Sequence, residues 1–194
     1  PNCPVELLQE LARDEDSDVR LRVAGHSNGP AELQQHVLHD LARDKDSDVR
    51  HSVAGHVNCP VELLQELASD RYNYVRMAVA WNPNCPVELL QELARDEDSD
   101  VRESVAGYVN CPVELLQELA RDEHSDVRQA VASNVSSPVE VLQELALDED
   151  VWVRFSLASY STCPIDLRQQ VLHQLVRDKD CLLYTSDAAD DTPC

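Results

Sequence analysis

The chain has few aromatic residues, few glycines and little positive charge, and each shortage argues against a class of protein. Aromatic residues are only 4% of the 194 residues, so thin helical layers suit this composition better than one large core. With four glycines, the sequence has no glycine-rich loop for a phosphate group. Lysine and arginine number 16 against 37 acidic residues, a net charge of −21. This argues against binding nucleic acid or an anionic membrane, because both attract positive charge.

Long hydrophobic runs are also missing, since no apolar run approaches the roughly 20 residues of a membrane-spanning helix.

What the chain does have is a repeat. The string Asn-Cys-Pro-Val-Glu-Leu-Leu-Gln-Glu-Leu-Ala begins at Asn2, Asn58, Asn84 and Asn110. The prolines that open each unit lie 26 residues apart, with one spacing of 30, at Pro4, Pro30, Pro60, Pro86, Pro112, Pro138 and Pro164. A fixed period of this size predicts a solenoid of stacked units.

The period divides residues 1–180 into repeats 1 to 7, the last of them truncated: 1–27, 28–57, 58–83, 84–109, 110–135, 136–161 and 162–180. The string Pro-Asn-Cys-Pro occurs at Pro1 and again at Pro83, so we expect the array to continue before the first residue. Residues 181–194 leave the repeat register at Cys181. We interpret them as a non-native tail derived from adapter or vector sequence.

Each repeat predicts two short helical segments. In the first, proline at the first helical position would make Cys3 the N-cap and place Glu6 in a capping box. Its buried stripe is Leu7, Leu8, Leu11 and Ala12. In the second, Asp16 or Ser17 caps a helix that buries Val19, Val23 and Ala24. Repeats 2 and 7 carry four extra residues, about one helical turn, which predicts a longer first helix in each.

The pattern Pro-x-x-Leu-Leu-x-x-Leu-Ala-x-Asp-x-Asp-x-x-Val-Arg-x-x-Val-Ala resembles the leucine-rich repeat variant family and is similar to HEAT-like repeats. The resemblance implies an all-α protein, an α-solenoid of about seven stacked two-helix repeats. The first family implies a right-handed superhelix with one 3₁₀ helix per repeat, and HEAT-like repeats imply paired α-helices; which segment would be 3₁₀ stays open. HEAT-like families also imply a ladder of Asp and Arg side chains, here Asp16, Arg20, Asp46, Arg50, Arg76, Asp98, Arg102, Arg128, Asp150 and Arg154.

Cysteine and histidine are the residue types that could suggest a metal. Cys3, Cys59, Cys85, Cys111 and Cys163 share one register, but helices packed roughly 8–10 Å apart hold one thiol per repeat too far from the next for a disulfide. We expect reduced packing thiols. The histidines, including His26, His56, His36 and His39, show no third ligand and are expected to be solvated. We therefore predict no catalytic, metal or cofactor residues in the array.

Departures from the repeat carry the functional information. Aromatic residues replace polar ones at a few places, which either patches the stack locally or forms a docking surface. We hypothesise that the partner-binding residues are Tyr72, Tyr74, Trp81, Tyr108, Trp152 and Phe155.

Together these features favour a non-enzymatic repeat scaffold, monomeric and cytoplasmic, that binds a protein or peptide, with a basic partner favoured by the charge. Nucleic acid and membrane are not expected partners. Two alternatives stay open. The repeats could belong to an iron–sulfur protein of the leucine-rich repeat variant family whose cluster module lies outside this sequence, or to a protein of the HEAT-like bilin lyase type.

Overall fold

The computed structural model describes residues 5–26, 31–159 and 163–177, and these form α-helices without strands. The first helices of the repeats are α1 (Val5–Leu11), α3 (Ala31–Leu41), α5 (Val61–Leu67), α7 (Val87–Leu93), α9 (Val113–Leu119), α11 (Val139–Leu145) and α13 (Ile165–Leu175). The second helices are α2 (Ser17–Ala24), α4 (Ser47–Ala54), α6 (Asn73–Ala80), α8 (Ser99–Gly107), α10 (Ser125–Ser133) and α12 (Val151–Ser159). The predicted all-α solenoid of stacked helix pairs is confirmed.

The first helices begin one residue later than predicted. Pro60 has an extended ψ of 147° and is the N-cap, so the helix starts at Val61. The carbonyl oxygen of Pro60 accepts hydrogen bonds from the backbone N–H groups of Leu63 and Leu64. The predicted cysteine cap with its capping box is therefore wrong in the described repeats, because Glu62 is only the second helical residue. The corresponding residues of repeats 1 and 2 lie outside the described ranges.

The second helices bury one aliphatic face, and α2 and α4 begin at an acidic cap. The Asp16 and Asp46 side chains accept from the backbone N–H of Asp18 and Asp48, as N-caps do. An alanine recurs in one buried register, where small side chains allow close helix packing: Ala24, Ala54, Ala80, Ala106, Ala132 and Ala158.

Two features of the helices bear on the resemblance. Helices α3 and α13 contain 11 residues where α5 contains 7, so the longer first helix predicted for repeats 2 and 7 is confirmed. Every helix within the described ranges is an α-helix. The described repeats thus follow the paired-α arrangement, and the 3₁₀ helix implied by the resemblance is not among them.

The chain forms two compact units, unit 1 (Pro1–Val105) and unit 2 (Ala106–Cys194). Within each, leucines of the first helices and valines of the second form a continuous core, for example Leu64 and Val75 in unit 1 and Leu116 and Val127 in unit 2. Across the described residues, no helix is both long and apolar enough to span a bilayer.

Candidate functional site

A buried arginine in the second helix bonds to a carboxylate of the next repeat at several places within the two units. In unit 1, Arg20 donates from Nε and Nη2 to the two carboxylate oxygens of Asp44, at 2.6 and 2.9 Å. Its Nη1 donates to the carbonyl oxygens of Asp14 and Glu15 in its own turn. The same bidentate geometry joins Arg50 to Asp70, Arg76 to Asp96 and, in unit 2, Arg128 to Asp148.

This geometry corrects the acceptors predicted for the ladder. The carboxylate that receives the arginine belongs to the first Asp of the next repeat's turn, such as Asp44, and not to the Asp two residues later, such as Asp46. Asp44 also accepts from the backbone N–H of Asp46, which fixes its carboxylate. The later Asp instead accepts from a backbone N–H of the following helix, as seen for Asp16, Asp46, Asp98 and Asp150.

The remaining two ladder arginines keep the contact to their own turn. Arg102 donates to the carbonyl oxygen of Asp96 at 2.8 Å, and Arg154 donates to the carbonyl oxygens of Asp148 and Glu149. Each of these six arginines is therefore anchored to its own inter-helix turn.

Burial makes these pairs structural. The side chains of Arg50 and Asp70 are only 10% and 8% exposed. Burial alone would raise the pKa of Asp70, but hydrogen bonds from Arg50 and from the Tyr72 N–H outweigh it, and the pKa lies below its usual value. The hydrogen bond to Asp70 in turn raises the pKa of Arg50. Such a pair is ionised on both sides and is held by hydrogen bonds to both carboxylate oxygens, which suits a structural role.

A second, exposed set of arginine–carboxylate pairs runs outside the first. Arg43 donates to both carboxylate oxygens of Glu66 at 2.6 and 2.9 Å, with side chains 75% and 38% exposed. Arg13 and Asp40 are paired in unit 1 and Arg121 and Glu144 in unit 2. Exposed pairs of this kind contribute about 0–1 kcal/mol.

A buried asparagine clamp between repeats was missed in the sequence. The Asn82 amide donates to the carbonyl oxygens of Ala54 and His56 at 2.6 and 3.0 Å, satisfying the end of α4. Asn134 makes the equivalent bonds in unit 2, to Ala106 and Tyr108. The polar residue that recurs in this register, for example His56 and Asn82, was the available signal.

The described cysteines are packing groups, and all but the half-buried Cys85 are buried. Cys59, Cys85, Cys111 and Cys163 are free, and each thiol lies 3.6–3.8 Å from the carbonyl oxygen of the following proline. Burial raises the pKa of Cys59, Cys85 and Cys111 to about 12. A thiol with that pKa is a poor nucleophile and metal ligand at neutral pH. Within the described ranges, no three His, Cys, Asp or Glu side chains converge as a metal site.

The exposed face of α6 in unit 1 differs from its neighbours. Tyr74, Met77 and Trp81 follow one another at i, i+3 and i+7, so they share one helix face. We call these three residues the α6 stripe. The indole of Trp81 is 54% exposed, and Trp81 ends α6 at a position that α2 and α4 fill with Gly25 and Gly55.

Glycine is not required in that register by backbone geometry. Gly25 and Gly55 have φ of −80°, which any residue adopts. A Cβ at Gly25 would meet its nearest neighbour, Ser52 Oγ, at 3.5 Å, an ordinary contact. Backbone geometry therefore does not determine which residue stands in this register, and the side chain of Trp81 is exposed to solvent.

Carboxylates border the α6 stripe on both sides. The hydroxyl of Tyr74 donates to Ser47 and, at 3.3 Å, to Asp48 of repeat 2. On the other side, Asn73 donates to Asp98 and Asp100 of repeat 4 at 3.0 and 3.5 Å. The exposed apolar residues thus lie in an acidic frame, and Tyr74 is held in place by its own hydrogen bonds.

A second aromatic pair lies in unit 2. Trp152 and Phe155 of α12 are 45% and 47% exposed, with ring centroids 5.8 Å apart in an edge-on arrangement. They occupy the registers that Tyr74 and Met77 occupy in repeat 3. Repeats 3 and 6 thus depart from the pattern at the same two positions of the second helix.

Of the last two predicted partner-binding residues, Tyr72 adjoins the α6 stripe and Tyr108 is buried. Tyr72 is the N-cap of α6, 38% exposed, with its ring 5.6 Å from that of Tyr74 and under the guanidinium of Arg71 at 4.7 Å. Tyr108 is only 8% exposed, because it lies in the buried clamp register. Including it in a docking surface was wrong.

These features define a class, an all-α repeat scaffold held by buried inter-repeat bonds. Among solved structures, the chain is similar to a leucine-rich repeat variant described as having a novel repetitive structural motif. The two are 32% identical with a TM-score of 0.64, over 88% of this chain and 71% of that one. The chain belongs to the leucine-rich repeat variant family, as its repeat pattern predicted. It also shares a fold with the E. coli protein YibA, at 17% identity and a TM-score of 0.55, over 97% of this chain and 81% of that one. No family model and no curated protein matches the sequence.

Proposed function

We propose that this protein is a non-enzymatic scaffold that binds a basic protein or peptide, with the α6 stripe as the centre of its docking surface. The observation that carries the proposal is the exposed indole of Trp81, in a row with the half-buried Tyr74 and Met77 and framed by carboxylates. The neighbouring second helices of unit 1 have polar or glycine residues in these places, for example Asp48, Gly55 and Asp100.

The apolar residues supply affinity in this proposal. Burying the exposed half of an indole, on the order of 100 Å², contributes about 2–3 kcal/mol. That exceeds the 0–1 kcal/mol of an exposed ion pair. Tyr74 is already fixed by its bonds to Ser47 and Asp48, so little side-chain entropy is lost when a partner covers it. An interface normally buries more than 1,000 Å², so the stripe would be the centre of a larger contact.

The carboxylates select for positively charged partners in this proposal. With a net charge of −21, the chain attracts cationic partners and repels anionic ones, which raises the association rate more than it tightens the complex. Lysine or arginine beside an apolar side chain is the partner chemistry that fits Asp48 and Asp100 around an indole. We propose that Trp152 and Phe155 form a separate, smaller site of the same kind in unit 2.

We also propose that the chain acts as a monomer in the reducing cytoplasm, since its described thiols are free and buried. Neither the iron–sulfur nor the bilin lyase alternative has a specific observation in its favour, because the described cysteines occur one per repeat.

Selection from a random peptide library displayed on phage tests the function. We expect enriched peptides to combine Lys or Arg with large apolar residues, and their binding to weaken as salt rises. The control variant is Trp81→Gly, which installs the residue that repeat 2 has in this register. Enrichment of acidic peptides, or equal binding to Trp81→Gly, would overturn the proposal.

A further inference from the structure

A small cavity lies between the first two repeats of unit 1. Its apolar wall includes Leu8, Val23 and Leu38, and its polar wall consists of His26, Gln34 and His56. The volume is about 10 Å³, close to the minimum that holds one water molecule and too small for a larger ligand. His56 and Gln34 are each only 6% exposed, which corrects the expectation that His56 is solvated.

Each polar residue brings a nitrogen that lacks a hydrogen-bond partner. The Nε2 atoms of His26, Gln34 and His56 are all buried and unpaired. A buried polar atom without a hydrogen-bond partner destabilises the fold. Three such atoms around one cavity indicate a ligand with hydrogen-bonding capacity.

The hydrogen bonds that Asn58 makes to His56 and Gln34 determine which atoms of these two side chains carry hydrogens toward the cavity. The backbone N–H of Asn58 donates to His56 Nδ1 at 3.1 Å, so that atom carries the lone pair and Nε2 of the neutral ring carries the hydrogen. The side chain of Asn58 donates to Gln34 Oε1 at 2.7 Å, which leaves the Gln34 NH₂ for the cavity. Two donors therefore point to the ligand, and a metal ion is excluded at His56 because Nε2 is protonated.

The same register is satisfied differently further along unit 1. There Asn82 donates directly to two carbonyl oxygens of the preceding repeat. At His56, burial lowers the pKa and the nearby His26 backbone opposes that shift, but Nε2 makes no hydrogen bond within normal geometry. The contact made by His56 to the preceding repeat therefore requires a further hydrogen-bonding molecule, whereas the contact made by Asn82 does not.

We propose that this cavity binds one ordered water molecule that joins repeats 1 and 2. The water accepts from His56 Nε2–H and from the Gln34 amide, and it donates to His26 Nε2. A water molecule has two acceptor sites, so this arrangement requires His26 to carry its hydrogen on Nδ1. The two histidines accordingly have opposite tautomers.

Nitrogen-15 NMR of the full chain at neutral pH tests this directly, because ring nitrogen shifts distinguish the tautomers. We expect the Nε2–H form for His56 and the Nδ1–H form for His26. Water-to-protein cross-relaxation should also show a long-lived water at the His56 Nε2 proton. Finding His26 in the Nε2–H form, or finding no long-lived water there, would overturn the proposal.

A crystal structure at about 1.5 Å or better gives the second test. We expect one density peak within about 3.2 Å of all three nitrogens. The variant Gln34→Met keeps the side-chain length but removes a donor, and should lose the peak and the long-lived water signal. The matched control is Gln35→Met on the exposed side of α3, which should keep both. Loss in both variants, or retention in Gln34→Met, would contradict the site.

Discussion

The two sides of α6 differ in sequence, in burial and in what they contact. On the inner side, Arg76 occupies the arginine position that the second helices of repeats 1 to 6 share. It donates to the Asp96 carboxylate and to the Asp70 carbonyl oxygen. On the outer side, the residues of the α6 stripe differ from those at the same positions of the neighbouring second helices, and Trp81 is exposed. One helix thus combines a periodic face that holds the array together with an aperiodic face that we assign to binding. Mutations on the two faces should therefore separate stability from binding.

The largest effect is expected from Arg76→Ala. It leaves the Asp96 carboxylate buried at 10% exposure without its partner, and breaking a buried pair costs about 3–5 kcal/mol. Urea unfolding followed by circular dichroism measures the loss. A decrease below about 1 kcal/mol would mean that the inner face does not hold the repeats. The double replacement of Arg76 by Met and Asp96 by Leu should recover part of the stability, since no charge then stays unpaired.

The next effect is on binding. Trp81→Gly should weaken a phage-selected basic peptide by about 2 kcal/mol, roughly thirtyfold in Kd, as expected for an aromatic residue at the centre of an interface. Isothermal titration calorimetry measures Kd, and urea unfolding should show little change because glycine fits this register. Equal losses of stability and affinity would remove the distinction between the two faces.

Acid should weaken the inner pairs. The pKa of Asp44 lies below its usual value because hydrogen bonds from Arg20 and the Asp46 N–H outweigh its burial, and Asp70 behaves in the same way. A carboxyl with a lowered pKa stabilises the fold above its unfolded pKa of about 3.9. That stability is lost as the pH falls through the folded pKa. Urea unfolding between pH 7 and pH 2 should therefore show a decline that is smaller in Asp70→Asn. An unchanged slope in that variant would contradict the assignment.

The smallest effect is expected from Arg43→Ala. The Arg43–Glu66 pair has the same bidentate geometry as Arg50–Asp70 but is exposed, so its loss should lower the free energy of unfolding far less than the loss of a buried pair. Arg50→Ala is the matched comparison. If both variants lost the same free energy of unfolding, burial would not be what distinguishes the two sets of pairs.

The repeat period was enough to predict the helix pairs and the arginine register. It could not tell which Asp of the turn receives the arginine, because Asp44 and Asp46 are chemically alike and only the local hydrogen bonds separate them. Two burial errors have a common cause. His56 and Tyr108 look like surface residues by type, yet both lie in the clamp register, where Asn82 and Asn134 are buried. Comparing registers across repeats, rather than residue types, would have found that layer.

The position of the docking surface is the central claim, and chemical-shift mapping tests it most directly. Amide and methyl spectra of the full chain would be recorded with and without a phage-selected basic peptide, at low and at high salt. We predict that the strongest shifts in unit 1 fall on Tyr74, Met77 and Trp81, extend to Asp48 and Asp100, and diminish at high salt. Shifts confined to the outer faces of the first helices, such as α5 and α7, would contradict the account.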